Sequence, residues 1–432
     1  MLSPWVLLFA NNSWLYSKPT GIDRWVYSGF HVHLHELLSR FPGTYYAARA
    51  PWNLFGWAVH QLLPVEPALY VIHFFVFYLA IFSLYVAALT LFSDRLAAFA
   101  VAILYGVQRS FLIAAGWDYV DGAFTACLLL SFAALTRTAL GPRWKAASFI
   151  WGSAMALVVS LYVPLVVFIP VEIGMFLLLN HLEQRRRFLP IASVFTAGGL
   201  ITVALTGFFN YVAGGPLLYF AAQFGAIGGV AHIQGRYYFD PGYWLSRASW
   251  LFAPSIAAVL GIIYTIRSET PRLRAVALAC LGATLIYCAL QLAKFPVFQY
   301  EHTSNPLIAT DFLLVGGALA LITRRIPLQL HGIGYIACFV ITFLPWWLSR
   351  YGIMLPDPVL LEGFGIEAAT VLVAVLLTLF SPRLAAFGFV ATLCYYSAVS
   401  FLTQNTRLMA FPENPAYREG TLAVFDAALG LG

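Results

Sequence analysis

The sequence predicts an all-α polytopic membrane protein with about thirteen transmembrane helices and two interfacial helices in its first external loop. Three observations predict it. Hydrophobic side chains make up 61% of the chain and charged ones only 10%, whereas soluble domains carry roughly a quarter charged. Mean hydropathy is +0.81, and apolar runs long enough to cross about 30 Å of hydrocarbon recur along the chain. Basic residues gather in alternate short turns, as the positive-inside rule requires of a multi-span protein.

The expected spans are residues 1–10, 66–92, 96–115, 122–140, 147–162, 163–180, 188–212, 249–266, 275–293, 307–323, 331–348, 364–380 and 384–402. The first is short, since ten helical residues rise only about 15 Å. It lacks the charged start and cleavage site of a signal peptide, and is expected to be a partial span or the remainder of a longer one. Residues 1–402 are expected to form one transmembrane domain, with 403–432 a short external tail that begins a truncated domain.

Charge sets the orientation. One set of turns holds Arg95, Arg137, Arg143, Lys145, Arg185, Arg186, Arg187, Arg267, Arg272, Arg274, Arg324, Arg325 and Arg383, opposed only by Asp94, Glu183 and Glu269. That face is expected to be cytoplasmic. The long segments 11–64, 213–248, 294–306, 349–362 and the tail are then external. Lys145 and Arg185 must share a side, so residues 146–180 need two short spans broken near Tyr162–Pro164. The net charge of +6 is thereby explained by topology, and no nucleic-acid partner is expected. Cys127, Cys280, Cys288, Cys338 and Cys394 all lie in apolar runs without a CxxC pair, and are read as small buried residues.

The first external loop is too long for a plain connection and too apolar for disorder. Residues 28–40 and 52–63 have helix-like apolar spacing, which suggests two amphipathic helices at the interface. His31, His33 and His35 are read as interfacial polar residues in preference to a metal site, and no metal-ligand set is assigned. Glu172 and Asp311 fall within spans, where a carboxylate is either a proton-path residue or a packing polar group. The sequence has no phosphate-binding Gly-rich loop followed by Lys-Ser/Thr, no HExxH and no GxSxG.

The loop carries a resemblance. An early acidic residue in GIDRWVYSGF, followed by YYAARAPWNLFGW, resembles the C-type glycosyltransferase superfamily, in its protein O-mannosyltransferase and lipid A aminoarabinose transferase-like branch. Asp23 stands at the position of the family's first acidic site, beside Arg24. Arg49 stands where a Tyr-x-x-Lys-Pro-Pro stretch has its basic residue, with Tyr46 in the same stretch. GWDYVDGAFTACLLLSFAAL places Asp118 and Asp121 at the next acidic site, and LAKFPVFQYEHTSNPL offers Lys294, Tyr300 and Pro306 in a later loop. The resemblance covers order and spacing over the first 180 residues and that one later loop.

It implies a multi-pass enzyme of the plasma (inner) membrane with its active face external or periplasmic. The donor would be a polyprenyl-phosphate sugar, and the acceptor a lipid, glycan or protein. Inverting transfer needs a carboxylate to take the acceptor's proton; Asp23 is the first choice, with Asp118 and Asp121 next. Arg109 is a candidate ion-pair partner for these two. The departing phosphate needs a cation that stays charged at membrane depth; Arg49 is the candidate, and the alternative is snorkelling to lipid headgroups. Arg24, Tyr46, Lys294, Tyr300, Glu301, His302 and Arg236 complete the expected substrate contacts. No organic cofactor is expected, and a divalent cation is left open. Asp23 is expected within about 10–12 Å of Asp118 or Asp121, since a positioned base shares a cleft with the other polar groups. Two rival readings are a transporter or flippase of a lipid-linked glycan and a non-catalytic assembly protein.

Overall fold

A computed structural model of the chain describes residues 22–116, 120–182, 188–225, 270–293, 301–324, 326–338 and 340; within them, the side chains at 22–25, 66, 109, 113, 182, 301–303 and 322 are outside the description. The expected spans 1–10, 249–266, 364–380 and 384–402, half of 331–348, and the tail 403–432 lie outside the described residues.

The described residues are mostly helical, with no strand among them. Three helices precede the bundle: α1 Ile22–Val32, α2 Leu34–Arg40 and α3 Ala50–Leu62. The bundle follows with α4 Val65–Phe92, α5 Arg95–Gly106, α6 Arg109–Gly116, α7 Asp121–Leu140, α8 Trp144–Leu161, α9 Phe168–Leu182, α10 Phe188–Val212, α11 Pro271–Leu292 and α12 Glu301–Thr323. Among the described residues, seven helices are long and apolar enough to cross a membrane, and α5 with α6, bent by 63°, makes an eighth candidate.

Local chemistry explains the boundaries. Helix α4 ends at Ser93, which takes the left-handed conformation with φ 55°. Asp94 then caps α5, one oxygen accepting from the Ala97 N–H at 2.9 Å and the other from Thr323 Oγ1 at 2.5 Å. The second bond ties the α4–α5 turn to the end of α12. Between α8 and α9 the chain breaks at Tyr162 and runs through a 3-10 turn, Val163–Val167, containing Pro164. The break that the charge pattern demanded is therefore present.

Other boundaries differ from expectation. The helix expected over 28–40 starts earlier and divides at His33, where φ −116° and ψ 43° leave the helical range. The division frees His35, whose Nδ1 lies 3.0 Å from the Ala213 carbonyl. His31 packs instead against α3, fully buried beside Trp52 and Gly56. Helix α12 begins at Glu301 and not at 307, carrying Pro306 inside it. Membrane helices tolerate such a proline where neighbours satisfy the freed groups. Cys127 and Cys280 are buried as expected, but Cys288 is exposed on α11; all four described cysteines are free thiols.

Backbone contact holds the α8–α10 pair. A Cβ on Gly152 would lie 1.8 Å from the Phe195 carbonyl oxygen, and one on Gly198 would lie 2.2 Å from that of Phe149. Ser153 Oγ donates to the Gly198 carbonyl at 3.1 Å. This is small-residue packing of the kind that lets membrane helices touch without side chains between them. In the centre, Tyr105 donates to Asn305 Oδ1 at 3.3 Å and Asn305 Nδ2 donates to Thr125 Oγ1 at 3.2 Å. That bridge joins α5, α12 and α7.

The bundle has two unlike ends. At one, Arg272 donates to the Leu91 carbonyl and Arg324 to that of Phe92, both at 3.4 Å, so the starts of α5 and α11 and the ends of α4 and α12 meet there. The opposite end holds α1–α3. His73, early in α4, lies 2.6 Å from the Ala115 carbonyl at the end of α6. Gly122, early in α7, presses on Ala114. Helices α4 and α7 thus run in the same direction, and the α7–α8 turn with Arg143 and Lys145 lies at the basic end.

Candidate functional site

The end opposite the basic one gathers a polar and aromatic cluster from four separate stretches of chain. The turn before α3 supplies Tyr45, Tyr46 and Arg49. Arg49 is the N-cap residue of α3, with Pro51 in the first turn where its missing N–H costs nothing. The start of α7 supplies Asp121, the α8–α9 break supplies Tyr162, and the stretch after α10 supplies Gln223.

Arg49 is fully buried. Its guanidinium donates to the Tyr45 hydroxyl and lies 4.2 Å from the centre of the Tyr45 ring and 5.1 Å from that of Tyr162. A planar, weakly hydrated cation suits such faces better than an ammonium does. The snorkelling alternative is thereby overturned: the side chain turns into the protein. Tyr162 is stacked on its other neighbour, Phe124, with centroids 5.5 Å apart. The charges of Arg49 and Asp121 both act on the Tyr162 phenol, as does Tyr45. Asp121, only 2% exposed, is the one buried carboxylate described at this end.

Gln223 fixes the frame. Its Nε2 donates to the Ala48 carbonyl at 3.0 Å and to that of Ser160 at 2.6 Å, and its Oε1 accepts from the Val163 N–H at 3.3 Å. One side chain therefore ties the stretch entering α3 to both sides of the α8–α9 break, on which Arg49 and Tyr162 ride. Asn53 braces the same turn by donating to the Tyr46 carbonyl at 2.9 Å. Gln223→Ala would strand three buried backbone groups. It is expected to cost roughly 1–3 kcal/mol, read as a lowered unfolding temperature in detergent.

Of the residues singled out from sequence, Arg49 and Tyr46 share the turn before α3, and Asp121 lies within electrostatic reach of Tyr162, the ring that Arg49 faces. Asp23 and Arg24 lie in the first turn of α1, and Glu301 and His302 in that of α12, but their side chains are outside the description. Arg109 opens α6, also without a described side chain. Asp118, Arg236, Lys294 and Tyr300 lie outside the described residues. Sequence reasoning passed over Tyr45, Tyr162 and Gln223. Tyr162 had a signal, since it stands at the break before Pro164; Gln223 had none.

Two further carboxylates lie mid-bundle. Glu172 accepts from Trp151 Nε1 at 2.5 Å and from Ser131 Oγ. Asp311, beside Cys280, has neither oxygen hydrogen-bonded among the described residues. No group of three His, Cys, Asp or Glu side chains that could hold a metal ion occurs among the described residues. No protein-family profile, no characterised protein and no solved structure matches the chain.

Proposed function

We propose that this protein is an inverting membrane glycosyltransferase, moving a sugar from a polyprenyl-phosphate carrier to an acceptor on the external face of the plasma membrane. One observation carries the reading. Arg49 faces the Tyr162 ring at the end of the bundle away from the basic turns, and Asp121, distant from both in sequence, lies within electrostatic reach of the same phenol. A permanent cation and a carboxylate are the two charges this reaction needs. The acceptor hydroxyl gives its proton to a carboxylate as its oxygen bonds to the anomeric carbon. The bond from that carbon to the phosphate oxygen breaks on the opposite face, and the electron pair leaves with polyprenyl phosphate. Asp23 is the proposed base, with Asp121 the second carboxylate. Arg49 supplies the positive charge that stabilises the departing phosphate.

A transporter or flippase of a lipid-linked glycan is the second reading, favoured by the mid-bundle Glu172 and Asp311, since ionisable groups at that depth mark transport paths. Purified protein incubated with a polyprenyl-phosphate sugar and an acceptor lipid extract distinguishes the two. The enzyme reading expects free polyprenyl phosphate and a new glycoside in a single turnover. Movement of intact donor across a vesicle membrane without bond cleavage would replace it with the transporter.

A further inference from the structure

A cation stabilises a phosphate best when it already stands where the phosphate will arrive. Arginine has a long side chain with many rotamers, and ordering one on binding costs up to about a tenfold factor in affinity. Two rings hold Arg49. Tyr45 stands four residues before it in the same turn, its ring centre 4.2 Å from the guanidinium carbon. That ring belongs to the turn and cannot fix the turn's own arginine against the bundle. Tyr162 can. Its ring centre lies 5.1 Å from the same carbon, and it belongs to the distant α8–α9 break.

Tyr162 is itself fixed from several sides. Its backbone is extended, with φ −151° and ψ 98°, where it closes α8, and Pro164 follows two residues later. Gln223 holds the chain on either side of it, at the Ser160 carbonyl and at the Val163 N–H. Buried Phe124 stacks on the ring, with centroids 5.5 Å apart and planes 21° apart. Phe124 lies in the first turn of α7, the helix that Asp121 opens. One ring therefore touches both the cation and the helix that carries the carboxylate. An aromatic face attracts a cation within about 6 Å of its centroid. The ring is neutral, so it holds the guanidinium without cancelling its charge.

We infer that Tyr162 is a positioning residue: its ring, backed by Phe124, holds the Arg49 guanidinium where the phosphate of a polyprenyl-phosphate donor arrives. This role rests on the sugar-transfer reading of Arg49.

The test is equilibrium binding of fluorescent undecaprenyl phosphate to detergent-purified full-length protein. Fluorescent undecaprenol, with the same chain and no phosphate, is the comparison. Tyr162→Leu is expected to bind the phosphate about tenfold more weakly and to bind undecaprenol as the parent does. Tyr162→Phe keeps the ring and is expected to restore most of the lost affinity. In an Arg49→Ala background, Tyr162→Leu is expected to add no further loss, since the ring acts through the arginine. Should Tyr162→Leu fail to fold, a trifluorinated phenylalanine at position 162 carries the test. It keeps a ring of similar size but weakens its attraction for a cation, so it is expected to bind the phosphate more weakly than Tyr162→Phe. An equal loss of undecaprenol binding in Tyr162→Leu would show general distortion of the site and overturn the role. So would a further loss in the Arg49→Ala background, or Tyr162→Phe binding as weakly as Tyr162→Leu, which would assign the effect to the hydroxyl. A parent protein that binds both lipids equally would remove the phosphate role of Arg49, and this inference with it. A parent that prefers the phosphate, with Tyr162→Leu preferring it as strongly, would remove the role of Tyr162 alone.

Discussion

Asp23→Asn is expected to reduce single-turnover sugar transfer by about a hundred- to ten-thousand-fold, the usual contribution of a general base. Donor affinity should stay near that of the unaltered protein. Asparagine keeps the shape of the side chain but cannot take the acceptor's proton, so the loss belongs in turnover. Arg49→Ala is expected to show the reverse weighting, with donor binding weakened first. That substitution also removes a fully buried cation from between the Tyr45 and Tyr162 rings and takes a neighbouring positive charge from the Tyr162–Asp121 cluster. Arg49→Lys therefore accompanies it: charge is kept while the planar contact with the rings is lost. Transfer is measured with purified protein beside an equilibrium donor-binding assay and an unfolding curve. Near-normal turnover in Asp23→Asn together with its loss in Asp121→Asn would pass the role of base to Asp121. Normal turnover in both would remove the enzymatic reading from these two carboxylates altogether.

Gly152→Leu is the structural counterpart, and is expected to be among the most damaging single substitutions in the bundle. A Cβ alone would sit 1.8 Å from the Phe195 carbonyl oxygen, a backbone atom that cannot swing aside as a side-chain end would. Helices α8 and α10 would have to separate, which would also break the bond from Ser153 to the Gly198 carbonyl. The expected cost is about 3 kcal/mol, the upper part of the range for overpacking. It should appear as a large fall in unfolding temperature and aggregation on size exclusion. Two controls sharpen it. Gly199→Ala would bring its Cβ no closer than 3.5 Å to the Gly152 carbonyl oxygen, and Gly174→Ala would meet nothing within 4 Å. Both are expected to stay within about 0.5 kcal/mol of the parent. Gly152→Leu behaving like the controls would mean that the two backbones are not in contact.

Much of the bundle was legible from sequence. The expected spans 66–92, 122–140, 163–180 and 188–212 lie on α4, α7, α9 and α10, each within a few residues of the observed ends. Arg95, Arg272 and Arg324 were assigned to one face by charge alone, and the helix ends that carry them meet at one end of the bundle. The break at Tyr162 followed from requiring Lys145 and Arg185 to lie on one side. Less was legible at the site. Arg49 and Asp121 were candidates on separate grounds, but nothing in the sequence stated that Tyr162 would stand between them, or that Gln223 would lock the two stretches together.

The division has a physical cause. Hydropathy and charge act on each segment separately: a run of twenty apolar residues crosses hydrocarbon whatever its neighbours do, and a basic turn resists translocation by its own charge. The positions of the described spans and the end that gathers the basic turns were therefore legible in the sequence read in order. The rotation of each helix about its axis was not. Helix α4 is apolar on nearly every side, and the polar residues of α7 and α12 form no single stripe to show which face turns inward. In lipid, close packing and scattered hydrogen bonds choose that face. Gly152 against Phe195, Asn305 between Tyr105 and Thr125, and Gln223 across the α8–α9 break make those choices here. They set Arg49 against the Tyr162 ring with Asp121 in electrostatic reach of it, an arrangement that only the assembled bundle contains.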